Sequence, residues 1–201
     1  LNEVLWSLGM ATLFKFYSTR GPEVMSGYSI ANTIGDLFFV LFGGMAAATT
    51  VLVSQPLGAN RLDEARSHAY QLIGFSLMLS VLFAVLMLGS SFVVPHFYQV
   101  SPQAKQVAVD VLRIMALMFW IYMANTQCYF TLRAGGDTRS TLFMDSGYMW
   151  LVNIPLVGCL TYFTGSSILL LYFVGQMTDI VKLVFGYSLV RKEKWVVNLT
   201  R

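Results

Sequence analysis

The sequence predicts an all-α integral membrane protein built as a six-helix bundle. Charged residues make up only 11% of the chain, and its mean hydropathy is +0.64. Both values lie outside the range of an ordinary soluble domain. Six apolar segments of helix length follow one another between polar turns, which is typical of transmembrane helices. The segments are continuously apolar, whereas the strands of a membrane barrel alternate between apolar and polar residues.

Helix breakers and charge clusters set the predicted element boundaries. We place the spans at residues 1–19, 24–57, 65–91, 104–132, 140–163 and 167–190, followed by a basic tail at residues 191–201. About 34 residues in the second segment would form ~51 Å of straight helix, against a hydrocarbon core of ~30 Å. This segment must therefore tilt, bend or project from the bilayer. The chain starts at Leu1 without the basic region of a signal peptide, so we expect a fragment that lacks an N-terminal part.

The distribution of Lys and Arg between the loops predicts the orientation of the chain. One side of the membrane carries eight basic residues, namely Arg61, Arg66, Arg133, Arg139, Arg191, Lys192, Lys194 and Arg201. The other side carries three, namely Lys15, Arg20 and Lys105. The richer side is expected to be cytoplasmic, with both chain ends inside and the protein in the cytoplasmic (inner) cell membrane.

The stretch TLRAGGDTRST at residues 131–141 contains the most chemically suggestive loop of the chain. A phosphate-binding loop needs a Lys after its glycines, and none follows here. His68 and His96 are expected on opposite sides of the membrane, so they cannot share a metal. We therefore predict no enzyme, no metal site and no bound cofactor. In this interpretation the loop residues have structural and topological roles: Arg133 at the headgroups, Gly135 and Gly136 as left-handed helix-ending residues, and either Asp137 or Thr138 as the cap of the next helix.

Polar residues inside the spans are more informative, because a charge at the bilayer centre costs at least ~2.5–3.5 kcal/mol. The candidates for ion coupling or for lining a substrate cavity are Asn2, Glu3, Asn32, Asp36, Tyr122 and Asn125. Asn32 and Asp36 lie one turn apart on one helix face. Asp36 is expected either to line a polar cavity or to form a hydrogen bond to a neighbouring helix.

Three further acids are given structural roles. Asp110 with Arg113, and Asp179 with Lys182, are spaced three residues apart and can pair on one helix face. Asp145 lies about two turns into the fifth span, where it can contact the cytoplasmic loops or serve transport. We favour the contact with the loops.

The order of several short motifs resembles the C-terminal half of a multidrug and toxic compound extrusion (MATE) transporter. The motif residues are Asn2-Glu3, Trp6, Gly9, Gly27–Asn32, Pro56–Ala59 with Glu64-Ala65, Leu132–Thr138, Asp145, Ile154–Leu156 and Lys194-Trp195. None of these motifs is specific alone, but their order and spacing extend over nearly the whole chain. Polysaccharide and lipid flippases of the same wider superfamily are the nearest alternatives.

The resemblance implies twelve helices in two six-helix lobes, with a cavity between them that exports cationic or amphipathic compounds in exchange for H+ or Na+. It also implies a cation site in this lobe, made by one acid on the helix where Glu3 lies and another at about the position of Tyr122. The second acid is missing here, with Asn125 nearby. The implied partners are the N-terminal lobe, small-molecule substrates and membrane lipid, with no nucleic acid. A non-transporting six-helix partner protein is the alternative from another class.

Overall fold

The computed structural model describes residues 2–198 and is helical throughout its regular elements. The helices are α1 (Asn2–Ser18), α2 (Pro22–Gly58), α3 (Leu62–Val93, closed by a 3-10 turn at Val94–Phe97), α4 (Pro102–Ala134), α5 (residues 138–163) and α6 (Ile168–Arg191). No strand occurs in this part of the chain. The predicted class, an all-α membrane bundle of six helices, is confirmed. The start at Leu1, Arg201 of the tail and residues 199–200 lie outside the described residues.

Four of the six helices are long and apolar enough to cross a membrane by length and composition: α2, α3, α4 and α6. The most apolar stretch of α4 has 61% of its residues buried, against 28% or fewer in the other three. Helix α4 is therefore the centre of the bundle, and α2, α3 and α6 pack around it. Helices α2 and α4 approach closely at Gly27, where an added Cβ would overlap the Ala104 carbonyl oxygen.

Two helices depart from regular α geometry next to a proline. Helix α2 contains a π-helical turn at Thr50–Ser54, directly before Gln55 and Pro56. Helix α5 contains two such turns, at Phe143–Gly147 and Met149–Asn153, before Pro155. Proline has no amide hydrogen to donate to the preceding turn. The Nδ1 atom of His68 on α3 lies 2.9 Å from the Leu52 carbonyl oxygen of α2. In a regular α-helix this oxygen would accept a hydrogen bond from the amide of residue 56, which is a proline here.

The turn between α4 and α5 is ordered by the tail that follows α6. The Trp195 side chain is fully buried, and its indole N–H donates to the Val190 carbonyl at 2.9 Å. The neighbouring Gly135 has no room for a Cβ, because the Trp195 backbone occupies that space. Nearby, Glu193 pairs with Arg66 at 3.0 Å. The tail therefore links the two turns that the sequence places on the cytoplasmic side.

The sequence prediction for this turn was correct for one glycine and wrong for the other. Gly136 has φ +78°, the expected left-handed conformation. Gly135 has φ −82°, and its small size is required by packing, a reason that local sequence does not reveal. Asp137 caps α5 by accepting a hydrogen bond from the Ser140 amide at 3.1 Å. Arg133 lies over the Tyr129 ring, with 5.9 Å between guanidinium carbon and ring centre.

Candidate functional site

The outward face of α2 carries an acid without a partner. Asp36 is exposed, and no hydrogen bond or ion pair to its carboxylate occurs among residues 2–198. Asn32, one turn earlier, is half-buried and lies beside the Tyr28 hydroxyl. Of the two alternatives for Asp36, a structural hydrogen bond to a neighbouring helix is absent from the described part of the chain.

The two polar residues at the start of α1 point in different directions. The Asn2 amide donates to Asp145 Oδ2 at 2.9 Å, and the Ser146 hydroxyl donates to both oxygens of Asn2, at 3.0 and 2.5 Å. Asp145 and Ser146 lie in the first π-helical turn of α5, a type of turn that is common at functional sites. Glu3 is exposed. Asn2 therefore helps to hold α1 against α5, whereas Glu3 remains accessible.

Lys182 on α6 completes this group, which we call the acid–lysine cluster (Asn2, Asp145, Ser146 and Lys182). Its ammonium lies 3.8 Å from Asp145 Oδ1, and both side chains are about one-fifth exposed. The predicted pairing of Lys182 with Asp179 on its own helix was therefore wrong, as was the predicted contact of Asp145 with the loops. Helix α5 brings Asp145 within reach of Lys182, a proximity between helices that spacing along one helix does not show. The other predicted pair, Asp110 with Arg113, is present at 3.6 Å.

Two polar residues of α4, Tyr122 and Asn125, face α6 in the centre of the bundle. The Tyr122 hydroxyl lies 3.4 Å from that of Tyr172, and the Asn125 amide donates to the Asp179 backbone carbonyl at 3.0 Å. Asn125 is only 5% exposed, and its side-chain oxygen has no hydrogen-bond partner in the described residues. Burial of an amide oxygen without a hydrogen-bond partner costs free energy and is rare. The Asn125 oxygen is therefore an acceptor that is available to a ligand at this position.

Three further tyrosine contacts connect α1 and α2 to this position. The rings of Tyr17, Tyr28 and Tyr172 meet edge-on, with centroids 5.1 to 6.2 Å apart. With Tyr122 they form what we call the tyrosine cluster. Its hydroxyls bring oxygen atoms from four helices into an otherwise apolar interior.

Asn153 adds a second unused amide oxygen on the α5 side. Its amide nitrogen donates to the Gly175 carbonyl at 3.1 Å and to the Thr178 hydroxyl at 3.3 Å, while its side-chain oxygen is buried and unpaired among residues 2–198. An added Cβ at Gly175 would lie 3.7 Å from both this oxygen and the Tyr17 hydroxyl. The Asn153 oxygen and the Tyr17 hydroxyl therefore lie on the same side of α6, next to Gly175.

Asp179 supplies a carboxyl group to the same region as these oxygens. Its carboxylate accepts no hydrogen bond from the described residues, and the charged groups whose fields reach it are Lys182 and Asp145. Its field in turn reaches the hydroxyls of Tyr17, Tyr122 and Tyr172. A carboxylate with hydroxyl and amide oxygens nearby can hold a proton or a hard cation such as Na+. No group of three or more His, Cys, Asp or Glu side chains with metal-binding geometry occurs among residues 2–198.

The structure brings together only some of the residues that the sequence singled out. Tyr122 and Asn125 share one region with Asp179, and Asn2 shares another with Asp145 and Lys182. Asp36 and Glu3 remain on the outside of the chain. Five further residues of these two regions were not predicted as site residues from the sequence: Tyr17, Tyr28, Ser146, Tyr172 and Thr178. The only signal in the sequence was a polar side chain within an apolar helix, and Tyr and Ser are common in such helices. These residues stand out only because their side chains meet in the folded structure.

Comparison with known proteins places this arrangement in a family. A family model described as MatE matches residues 1–157. The multidrug resistance protein MdtK of Yersinia enterocolitica is 28% identical over 138 residues, or 69% of this chain and 30% of that protein. The probable multidrug resistance protein NorM of Pseudomonas aeruginosa is 27% identical over 150 residues, or 72% of this chain and 31% of that protein. The chain thus spans about a third of the length of these relatives.

A solved structure shows the same fold. An outward-facing multidrug resistance MATE family transporter of the MOP superfamily superposes with a TM-score of 0.88 and 20% identity, over 99% of this chain and 44% of that chain. At this identity the likeness concerns the fold alone. Because the family model covers more than half of the sequence, the chain belongs to the multidrug and toxic compound extrusion (MATE) family.

Proposed function

We propose that the chain is the C-terminal six-helix lobe of a secondary transporter that exports cationic or amphipathic compounds in exchange for H+ or Na+. The observation that carries this proposal is the unpaired carboxylate of Asp36 on the outward face of α2. The family relationship supplies the expectation of transport. The residues on the outer surfaces of the helices indicate which face of the lobe borders the transport pathway.

The outward faces of α2 and α3 differ in chemistry. Between Phe75 and Val93 the exposed positions of α3 are large and apolar except for Gly89: Phe75, Leu77, Met78, Val81, Leu82, Val85, Leu86, Leu88, Phe92 and Val93. Between Ser29 and Leu52 the exposed positions of α2 are mostly small or polar: Ser29, Thr33, Asp36, Leu37, Val40, Gly43, Gly44, Ala47, Thr50, Val51 and Leu52. Large apolar side chains suit contact with lipid, whereas small residues suit contact with another helix.

Asp36 makes contact of this α2 face with lipid unfavourable. A charged group at the bilayer centre costs at least ~2.5–3.5 kcal/mol, and such groups ordinarily face a cavity or a partner. We therefore infer that the α2 face borders a water-filled cavity closed on its far side by a second six-helix lobe. Glu3 on the exposed side of α1 would contribute a second acid near the cytoplasmic end of this cavity.

The sign of the charge favours a cationic substrate over the anionic lipid-linked cargo of a flippase. Asp36 and Glu3 are exposed and lack ion-pair partners among the described residues. The two basic residues that lie well inside the spans, away from the helix ends, are Arg113 and Lys182, and each is paired with an acid. The outer face of the lobe thus offers free negative charge near the proposed cavity.

The interior of the lobe contains the groups needed for coupling to an ion. Asp179 can hold a proton or, with the oxygens of Asn125, Asn153 and the tyrosine cluster, a sodium ion. An antiporter needs ion and substrate to favour different states of the protein, so that binding of one promotes release of the other. Because Asp179 lies on α6 and Asn125 on α4, occupation at this point would alter the packing of α6 on the central helix. Alternating access would then follow from movement of one lobe against the other.

The experiment that tests the proposal measures drug export by the complete transporter in cells and in proteoliposomes. Asp36→Asn and Glu3→Gln are expected to lower export at least about tenfold while membrane abundance stays unchanged. The matched controls are Asp63→Asn and Glu23→Gln, which make the same changes at exposed acids near helix starts. Export at the parental rate by both Asp36→Asn and Glu3→Gln contradicts the proposal.

The same preparation tests the coupling ion. Asp179→Asn is expected to abolish the stimulation of export by an imposed H+ or Na+ gradient while drug binding is retained. Proteoliposomes loaded with one gradient at a time distinguish the two ions. Unchanged stimulation in this variant would remove Asp179 from the coupling mechanism. For orientation, we propose that the tail faces the cytoplasm of the inner membrane, as the basic residues predict.

A further inference from the structure

A basic cavity lies at the end of the bundle opposite the tail, where α3 ends and α4 begins. Its volume is about 420 Å³, and it is lined on the α3 side by Phe92 and His96 and on the α4 side by Lys105, Gln106, Val109 and Arg113. None of these residues belongs to the acid–lysine cluster or the tyrosine cluster. The cavity is therefore separate from the proposed transport site.

The charge inside this cavity is only partly neutralised. Asp110 receives two hydrogen bonds from Gln106, each of 3.0 Å, and one ion pair from Arg113 at 3.6 Å. The Arg113 side chain remains 43% exposed, so part of its guanidinium is available to a ligand. Lys105 is half-buried, and its ammonium has no hydrogen bond or ion pair within residues 2–198. Two cations thus line the cavity, and the one carboxylate beside Arg113 is already occupied, which favours an anionic ligand.

The walls of the cavity are apolar beside the charged groups. The Arg113 guanidinium carbon lies 4.9 Å from the centre of the Phe92 ring, which is itself 56% exposed. Phe97, in the turn after α3, is 78% exposed. The apolar outward face of α3 continues from Phe92 along the helix toward the bilayer centre through Leu88 and Val85. A ligand that fills this site therefore combines an anionic group with hydrocarbon.

Along α4, Lys105 lies in the headgroup region of the membrane, and the Arg113 backbone lies just inside the edge of the hydrocarbon core. Arg113 is eleven residues from the start of α4, or about 16 Å along the helix axis, in a helix about 50 Å long. Because the hydrocarbon core is only ~30 Å thick, the first turns of α4 extend into the headgroup region. A long Arg side chain can then keep its charge at the interface while its stem lies in the apolar region.

We propose that this cavity binds the phosphate of an anionic phospholipid, whose acyl chains lie along the outward face of α3. The phosphate receives hydrogen bonds from Arg113 and charge compensation from Lys105, and basic pockets between membrane helices are suited to such headgroups. A zwitterionic lipid fits less well, because its ammonium group would lie near Lys105. A free phosphate ion shares the anionic group but leaves the apolar walls without a partner. The proposal does not depend on the proposed transport activity.

The test measures lipid binding to the complete purified protein by native mass spectrometry and by thermal unfolding in detergent. Phosphatidylglycerol, phosphatidylcholine with the same acyl chains, and soluble glycerol phosphate are added separately. Phosphatidylglycerol is expected to bind and to raise the unfolding temperature more than the other two. Each removed cation is expected to weaken phosphatidylglycerol binding about fivefold, and both together about thirtyfold.

The variants are Lys105→Gln, Arg113→Gln and the double change, with Lys192→Gln/Lys194→Gln in the exposed tail as a control for total charge. Lys105→Gln removes no hydrogen bond or ion pair among the described residues, so it tests the proposal even where the Arg113 variants fold poorly. Equal binding of phosphatidylglycerol and phosphatidylcholine, or unchanged phosphatidylglycerol binding in Lys105→Gln, would overturn the proposal. Stabilisation by glycerol phosphate equal to that by phosphatidylglycerol would identify a free-anion site instead and also overturn it.

Discussion

Replacement of Trp195 by Ala is expected to destabilise the bundle through the tail that joins two of its turns. The Trp195 side chain is fully buried, so its removal opens a large cavity next to Gly135 and the end of α6. Burial of a Trp removes ~150–250 Å² from water, worth ~4–6 kcal/mol at about 25 cal/mol per Å². Measured costs of such truncations are about 3–5 kcal/mol. The lost hydrogen bond from the indole to Val190 is part of this loss.

The assay is thermal unfolding of the purified protein, followed by intrinsic fluorescence or by loss of the monodisperse peak. At about 2–4 °C per kcal/mol for a chain of this size, the unfolding midpoint is expected to fall by about 6 °C or more. The matched control is Trp120→Ala, because Trp120 is 44% exposed on α4 and its truncation leaves no enclosed cavity. Trp195→Phe is expected to recover most of the loss. A Trp195→Ala midpoint within about 1 °C of the parent would refute the role given to the tail.

Two further predictions concern a hydrogen bond between helices and the two thiols. His68→Ala is expected to cost about 1 kcal/mol, because His68 contacts the Leu52 carbonyl that Pro56 cannot bond. Pro56→Ala in the His68→Ala variant should recover part of the lost stability, because it restores an amide donor for the Leu52 carbonyl. A double-mutant cycle of unfolding midpoints measures the coupling between positions 56 and 68. Strictly additive effects of the two substitutions would contradict this coupling. A lipophilic maleimide is expected to label the folded protein at exposed Cys159 and not at buried Cys128. Mass spectrometry of the Cys159→Ser variant checks this, and retained labelling would show that Cys128 is accessible.

Spacing along the sequence predicted the contacts of some residues correctly and those of others incorrectly. Asp137, one of the two caps predicted for α5, is the cap in the structure; it could be predicted because capping depends on residues within three positions of one another. The pairing of Asp110 with Arg113 was predicted for the same reason. Lys182 was assigned to Asp179 by the same spacing rule, and the assignment was wrong because Asp145 approaches from another helix. Local rules therefore succeeded only where no third element competed for the same side chain.

Gly135 illustrates the same limit for small residues. Its sequence context, a Gly-Gly pair after a helix, suggested a backbone requirement at both positions. The structure requires the left-handed conformation at Gly136 alone, while Gly135 is small because Trp195, sixty residues later in the chain, occupies the adjacent space. A contact between residues so far apart in sequence leaves no local pattern that can be recognised.

The sequence by itself determined that this protein lies in a lipid bilayer, that it is helical and that it has six helices. These properties follow from apolar length and backbone hydrogen bonding, because a chain in lipid must satisfy its own amides and carbonyls within each segment. Only the tertiary structure decided which polar groups meet: Asn125 with Asp179, Asn2 with Asp145, and the tyrosines in one cluster. That selection depends on how each helix is rotated toward its neighbours. Helix rotation is set by side-chain packing between segments distant in sequence, which composition and spacing along one helix do not encode.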